Sequence, residues 1–146
     1  METQNANATH NANTMIPLLT LQAISVHQYD LLIKTGVDMT MESISVAAMM
    51  RGVQEIEKID MNQYDYPHGT RMKKRIYKLS QKHSICIQNL KLKYRSGIEV
   101  PIMDKYRIAL EFGLTFMRKD LLEVEKYCLQ ATCENLFPVY PGQMQL

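Results

Sequence analysis

The sequence contains no tryptophan and only three cysteines, Cys86, Cys128 and Cys133. An odd number of cysteines with no Cys-x-x-Cys pair does not suit the disulfide framework of a small secreted protein. The N-terminus also lacks the basic segment, apolar run and small-residue cleavage site of a signal peptide. We therefore predict an intracellular protein, located in the cytoplasm, the nucleus or both.

Long apolar runs are also missing, since no stretch approaches the roughly 18 apolar residues that a membrane-spanning helix needs. Hydrophobic residues nevertheless make up 46% of the 146 residues, which is typical of one globular domain. Strand-like alternation bounded by turn residues is scarce, whereas long segments free of glycine and proline are common. These features favour a helical protein.

Acidic residues are absent between Asp65 and Glu99. The rest of the chain carries eight basic and fifteen acidic residues, a net charge of −7, so the charge is strongly segregated. We predict two surfaces of opposite sign, because clustered charges of one sign mark an electrostatic footprint. The segment between them holds nine basic residues, namely Arg71, Lys73, Lys74, Arg75, Lys78, Lys82, Lys91, Lys93 and Arg95.

Two helices are predicted in the first half of the chain. The first begins near Pro17 and ends near Lys34, with Gly36 placed to terminate it in a left-handed conformation. The second runs from Thr40 or Met41 to about residue 59, and Thr40 or the preceding Asp38 is a suitable cap. We find no internal repeat in the sequence.

Two further helices are predicted after a loop at residues 61–69. The third spans 71–95, with Thr70 as its cap, Gly97 as its stop and an apolar stripe opposite the basic residues. The fourth spans about 104–135 and has an unusually wide apolar seam. Since Ile85 and Leu92 of the third helix lie outside its stripe, we expect a second copy or another helix to cover them. The predicted self-association residues are Ile85, Leu92, Ile108, Phe112 and Phe116.

The predicted fold is therefore all-α, a small antiparallel bundle of about four helices with short connections. Its helical domain spans 15–137. Residues 1–14, rich in asparagine and alanine, are predicted to be disordered because they bury too little apolar surface. Residues 138–146 are predicted to be an extended tail. The Pro138–Pro141 segment of this tail fits a bare PxxP pattern, although an extended exit from the domain is the commoner meaning.

The basic third helix leads to a functional hypothesis. Lysine and arginine neutralise phosphates, so nine of them predict salt-dependent binding to the RNA or DNA backbone. Tyr64, Tyr66 and Tyr77 could stack on unpaired bases. The alternative is an interaction or adaptor protein, or a viral accessory or structural protein, whose basic helix contacts an acidic protein surface. In both cases we expect a homo-oligomer that does not associate with membranes.

No catalytic or metal site is predicted, and no cofactor. His83 and Cys86 are three residues apart on one helix face, which provides only half of a zinc site. Cys128 and Cys133 are five apart and do not converge on a continuous helix. Cys128 has no neighbouring histidine that would mark it as a nucleophile. The sequence therefore favours a non-enzymatic binding protein.

Overall fold

The computed structural model describes residues 9–56 and 66–117, and these residues form two β-strands and four α-helices. Strand β1 (Thr9–Pro17) leads directly into helix α1 (Leu18–Thr35), which is followed by helix α2 (Met41–Glu55). Strand β2 (Met72–Ser80) leads directly into helix α3 (Gln81–Gln88), which is followed by helix α4 (Ile102–Met117). The strand–helix–helix order thus occurs twice.

The two strands pair antiparallel over their whole length and form a two-stranded sheet, called here the ribbon. Asn13 and Ile76, the middle residues of the two strands, lie opposite each other. The ribbon therefore has an approximate twofold axis through its centre. The two strand–helix–helix units therefore begin from equivalent strands.

Helices α2 and α4 pack against each other, and two glycines allow a backbone-to-backbone contact. A Cβ atom at Gly52 would lie 2.7 Å from the carbonyl carbon of Ala109, and one at Gly113 would lie 2.8 Å from Cα of Ala48. The two contacts are reciprocal, since each helix contributes one glycine and one alanine. Only glycine leaves room for the neighbouring main chain at this distance.

The loops before α2 and α4 also correspond. Gly36 and Gly97 both have left-handed backbone conformations, with φ of 79° and 89°, and each precedes the next helix by a few residues. The units differ most in their first helices, because α3 has eight residues and α1 has eighteen. An irregular segment with a single bridge between Lys93 and Glu99 fills the remaining length in the second unit.

The main core lies between the ribbon and the helices. Side chains on one face of the ribbon, including Ala12, Ile16 and Leu79, pack with Ile24 and Leu31 of α1 and with the facing sides of α2 and α4. A smaller cluster joins the segment after α3 to α4; it consists of Tyr94, Val100 and Ile108, with Leu92 and Phe112 packed against it.

The all-α prediction is wrong, and with it the four-helix bundle, because residues 72–80 of the predicted third helix form β2. As a helix, this segment would have stacked Lys74 on Lys78, and Lys78 on Lys82, in pairs four residues apart that repel each other. In the ribbon, Lys74 lies opposite Met15 and Lys78 opposite Asn11, both uncharged. The helix begins only at Gln81, where the Ser80 side chain accepts a hydrogen bond from the backbone of His83.

The N-terminal prediction also needs correction over its second half. Residues 9–14 are not disordered but form the first part of β1. The side chains of Ala12 and Thr14 are buried against the helices once β2 supplies the backbone hydrogen bonds, and a single segment cannot show that pairing by itself.

Other predictions hold within the described residues. Helices α1 and α2 are confirmed, with Gly36 ending the first and the Thr40 side chain accepting from the backbone of Ser43 at the start of the second. The fourth predicted helix is present as α4 from Ile102 to Met117. Its predicted continuation to 135 and the predicted tail at 138–146 lie outside the described residues.

Candidate nucleic-acid interface

The solvent-facing side of the ribbon is the most distinctive polar surface of the described chain. Cross-strand partners in an antiparallel sheet point to the same face, and successive residues alternate between faces. The pairs Asn11–Lys78, Asn13–Ile76 and Met15–Lys74 therefore share one face. Met15 is half-buried and the other five residues are exposed. We call these six residues the ribbon face.

The opposite side of the ribbon is fixed to the helices. Ala12, Thr14 and Tyr77 are buried there, with Tyr77 only 4% exposed. The Thr14 hydroxyl donates to the backbone carbonyl of Met103 in the first turn of α4, at 2.8 Å. Tyr77 shares a hydrogen bond with the side chain of Ser45 near the start of α2, and burial raises the pKa of the Tyr77 hydroxyl. These contacts hold the ribbon over the N-terminal ends of α2 and α4, so its outer face is presented on a rigid support.

The nine basic residues do not form the single helical stripe that was predicted. Lys74 and Lys78 lie on the ribbon face, and Lys73 and Arg75 occupy the alternate positions of β2. Arg71 precedes the strand, and Lys82 is in the first turn of α3. The remaining three, Lys91, Lys93 and Arg95, lie between α3 and α4.

The charge of this group is not neutralised by the acidic residues that the structure describes. Arg75 is half-buried and the other eight basic residues are exposed. Within residues 9–56 and 66–117, the salt bridges shown involve Arg51 with Glu55, and Arg107 with Asp104 and Glu111, and none of the nine. The ribbon and its surroundings therefore carry an open positive charge.

The tyrosines predicted to stack on bases are placed differently. Tyr77 lies beneath the ribbon, so its ring is not available to a base. The Tyr66 ring packs edge-on to Tyr94 at 6.1 Å, and the Arg107 guanidinium lies over it at 5.7 Å. Tyr66 thus belongs to the surroundings of a buried arginine. Tyr64 lies outside the described residues.

The residues predicted for self-association do not form one surface. Ile108 is fully buried, and Leu92 and Phe112 pack into its cluster. Phe116 is half-buried beneath the Arg51 guanidinium, at 5.7 Å. Ile85 alone among the five is exposed, at 46%. Several large apolar side chains are instead exposed on α1, namely Leu19, Val26, Tyr29 and Ile33.

The half-site suggested for a metal has a structural role. The Nδ1 atom of His83 is 2.6 Å from the Ser80 hydroxyl, and this pair lies at the start of α3. Cys86 is exposed and unoxidised. No group of three or more potential metal ligands occurs among the described residues. Cys128 and Cys133 lie outside them.

A buried network surrounds Arg107 on α4. Its guanidinium donates to the Tyr94 hydroxyl at 2.6 Å and to Glu111 at 3.3 Å, and the Tyr94 hydroxyl donates to Asp104 at 2.6 Å. Desolvation and the Asp104 carboxylate raise the pKa of Tyr94 well above its usual value. None of its members is exposed, and Glu111 also accepts a hydrogen bond from the Thr20 hydroxyl of α1. We assign the network to the stability of the fold.

Asn11 and Asn13 of the ribbon face were missed because they fall in the segment 1–14 that was predicted to be disordered, and Met15 because it was placed at the start of the helical domain. The only signal was a weak alternation over residues 11–16, in which Ala12, Thr14 and Ile16 are buried whereas Asn11, Asn13 and Met15 are not. Alanine and threonine are only weakly hydrophobic, so their spacing does not produce a clear strand-like alternation in the sequence.

Comparison with protein-family models, with curated proteins and with solved structures gave no match. No helix within the described ranges is long and apolar enough to cross a membrane. Functional inference therefore depends on the ribbon, its charge and its support.

Proposed function

We propose that this protein binds duplex DNA through the ribbon face. The observation that carries the proposal is the outward position of Lys74 and Lys78 beside Asn11 and Asn13 on a rigidly held, two-stranded ribbon. The major groove of B-form DNA admits a two-stranded β-ribbon, and strands in that groove are an established way to read DNA. No enzymatic activity is needed for this function.

The dimensions of the ribbon suit the groove. Lys74 and Lys78 are four residues apart on one strand, which corresponds to about 13 Å along it. The major groove is about 12 Å wide. The part of the ribbon from Lys74 to Lys78 is therefore about as long as the groove is wide. The long lysine side chains can reach phosphates beside the groove, while the shorter side chains of Asn11, Asn13 and Met15 face the base edges.

The same geometry favours DNA over duplex RNA. The major groove of an A-form RNA helix is deep and too narrow for protein side chains to read. A ribbon that presents the short Asn13 side chain at its centre cannot exploit that groove. The other basic residues, including Arg71, Lys82 and Lys93, would add attraction for the phosphate backbone that does not depend on sequence.

The test is a binding titration of the full chain against a duplex DNA of about 25 base pairs, a single strand and an RNA duplex, across a salt series. We expect duplex DNA to bind most tightly. Each of Lys74→Ala and Lys78→Ala should lower the slope of log affinity against log salt by about 0.9, the value for one lost phosphate contact.

The matched control is Lys34→Ala, which removes one exposed lysine from the last turn of α1. Its slope should equal that of the wild type, unless the interaction is only with overall charge. The proposal is refuted if the wild type does not bind duplex DNA at about 50 mM salt, where phosphate contacts are strong. Capture of an acidic protein that survives nuclease treatment would support the alternative of a protein-binding surface.

Self-association remains a separate prediction. The exposed apolar side chains of α1 make this helix the better place to look for it than α4. Light scattering over a range of concentrations decides the matter, since the chain alone has a mass of 16.9 kDa. A constant mass at that value would remove the claim.

A further inference from the structure

The doubled architecture makes a prediction about the kind of DNA site that fits the ribbon. Both strands of the ribbon come from one chain, and they are equivalent in position: each has nine residues, each precedes a helix, and their fifth residues lie opposite each other. The approximate twofold axis through Asn13 and Ile76 is therefore a property of the backbone. The side chains need not follow this symmetry, because the two strands have different sequences.

The outward side chains do depart from it. The third, fifth and seventh residues of β1 are Asn11, Asn13 and Met15. The corresponding residues of β2 are lysine, isoleucine and lysine, at positions 74, 76 and 78. No outward position carries the same residue in both strands.

The antiparallel register turns this difference between strands into a difference between the two ends of the ribbon. At one end Asn11 lies opposite Lys78, so an amide and an ammonium group point outward together. At the other end Met15 lies opposite Lys74, so a thioether and an ammonium group do. Each end of the ribbon carries one lysine, whereas Asn11 is present at one end only and Met15 at the other end only.

These side chains prefer different base pairs in the major groove. An asparagine amide can pair with the N6 and N7 edge of adenine, whereas apolar groups contact the methyl group of thymine. A site with twofold symmetry would offer the same surroundings to Asn11 and Lys74, which occupy equivalent positions of the two strands, and likewise to Met15 and Lys78. The same base edge would then face an amide in one half of the site and an ammonium group in the other, so the two halves could not both be matched.

We infer that this chain recognises a duplex DNA site that lacks twofold symmetry, and that it binds such a site in one orientation through a single ribbon. The inference rests on the proposed function. It adds that Asn11 and Met15 are the residues that determine the orientation. A ribbon formed by two identical chains could not make this distinction, because both of its ends would be the same.

The experiment is selection of binding sites from a random duplex DNA library by the purified full chain, followed by sequencing. We expect a selected motif whose two halves differ. Asn11→Ala should weaken base preference roughly tenfold at one end of the motif and leave the other end unchanged, since this is the usual loss for one side-chain contact to a base.

Two symmetrised variants provide the decisive comparison. Asn11→Lys/Asn13→Ile/Met15→Lys gives β1 the outward residues of β2, and Lys74→Asn/Ile76→Asn/Lys78→Met gives β2 those of β1. Both should select motifs with twofold symmetry, the second at lower salt because it lacks the phosphate contacts of Lys74 and Lys78. All six positions face outward, so circular dichroism should match the wild type, and either variant suffices if the other does not fold.

The possible results separate the inference from the function on which it rests. A wild-type motif with twofold symmetry would overturn the inference while leaving DNA binding intact. The same asymmetric motif from a symmetrised variant would show that residues outside the ribbon face set the orientation, and would also overturn it. Failure of the wild type to retain any duplex at low salt would remove both proposals.

Discussion

The close approach of α2 and α4 makes Gly52 the position at which one added methyl group should be most harmful. In Gly52→Ala, the new Cβ would lie 2.7 Å from the carbonyl carbon of Ala109. This group is backbone, so no rotamer change can relieve the overlap. The two helices would have to move apart, and the buried side chains around the contact, including Leu110 and Leu114, would lose part of their packing.

The expected cost follows from two opposing effects. Replacing a helical glycine by alanine normally stabilises a helix by about 1 kcal/mol. Overpacking costs typically 1–3 kcal/mol and occasionally more, and a gap of about 1 Å forfeits up to half of each affected dispersion contact. Because the obstacle here is main chain, we expect the upper part of that range. The net destabilisation should be about 2 kcal/mol, a large fraction of the roughly 5–15 kcal/mol that stabilises a domain.

The assay is urea unfolding of the full chain followed by circular dichroism. Gly113→Ala should show a similar loss, because its Cβ would meet the backbone of Ala48 in the same contact between α2 and α4. Thr115→Ala, an exposed change on α4, is the control and should stay within about 0.5 kcal/mol of the wild type. Equal or greater stability of Gly52→Ala would refute the backbone contact. So would its rescue by Ala109→Gly, since the obstacle is the carbonyl group and not the alanine side chain.

Two further stability measurements test the fold. Tyr94→Phe should cost about 2 kcal/mol, since it removes hydrogen bonds with Asp104 and Arg107. Since folding raises the pKa of Tyr94, its contribution is complete below the usual tyrosine value of about 10 and is lost as the pH rises above it. The wild-type urea midpoint should therefore fall more steeply than that of Tyr94→Phe between pH 9 and 11, and parallel curves would contradict this assignment. Thr40→Ala should cost about 1 kcal/mol through loss of the cap on α2, and an unchanged midpoint would show that this cap does not contribute.

Local signals along the chain were sufficient for α1 and α2. Gly36 ends the first helix, and Thr40 starts the second, through interactions within a few residues. The segregation of charge was likewise visible, since the nine basic residues form a group that the structure leaves exposed for the most part. Features of this kind depend on residues that are neighbours in sequence, which is why sequence patterns predicted them.

The ribbon could not be predicted in the same way. The segment from Met72 to Ser80 fits an apolar helical stripe through Met72, Ile76 and Leu79, and it equally fits a strand whose Tyr77 and Leu79 are buried. The choice between them depends on β1, which lies more than fifty residues earlier and looks polar and featureless by itself. In a helix, the lysines four residues apart would repel each other. In the ribbon they lie beside uncharged partners, so this repulsion is smaller and the strand is favoured.

The repeat was hidden for a related reason. The two units share few residues, and what they have in common is backbone geometry: a left-handed glycine before the second helix and a glycine at the helix crossing. The sequence by itself determined the first two helices, the concentration of positive charge and the lack of a recognisable catalytic motif. Only the tertiary structure decided that four of the nine basic residues lie on a strand, and that this strand pairs with one that has no lysine, arginine or acidic residue. The reason is that strand pairing joins backbone groups far apart in the chain, so no local pattern records which residues will share a face.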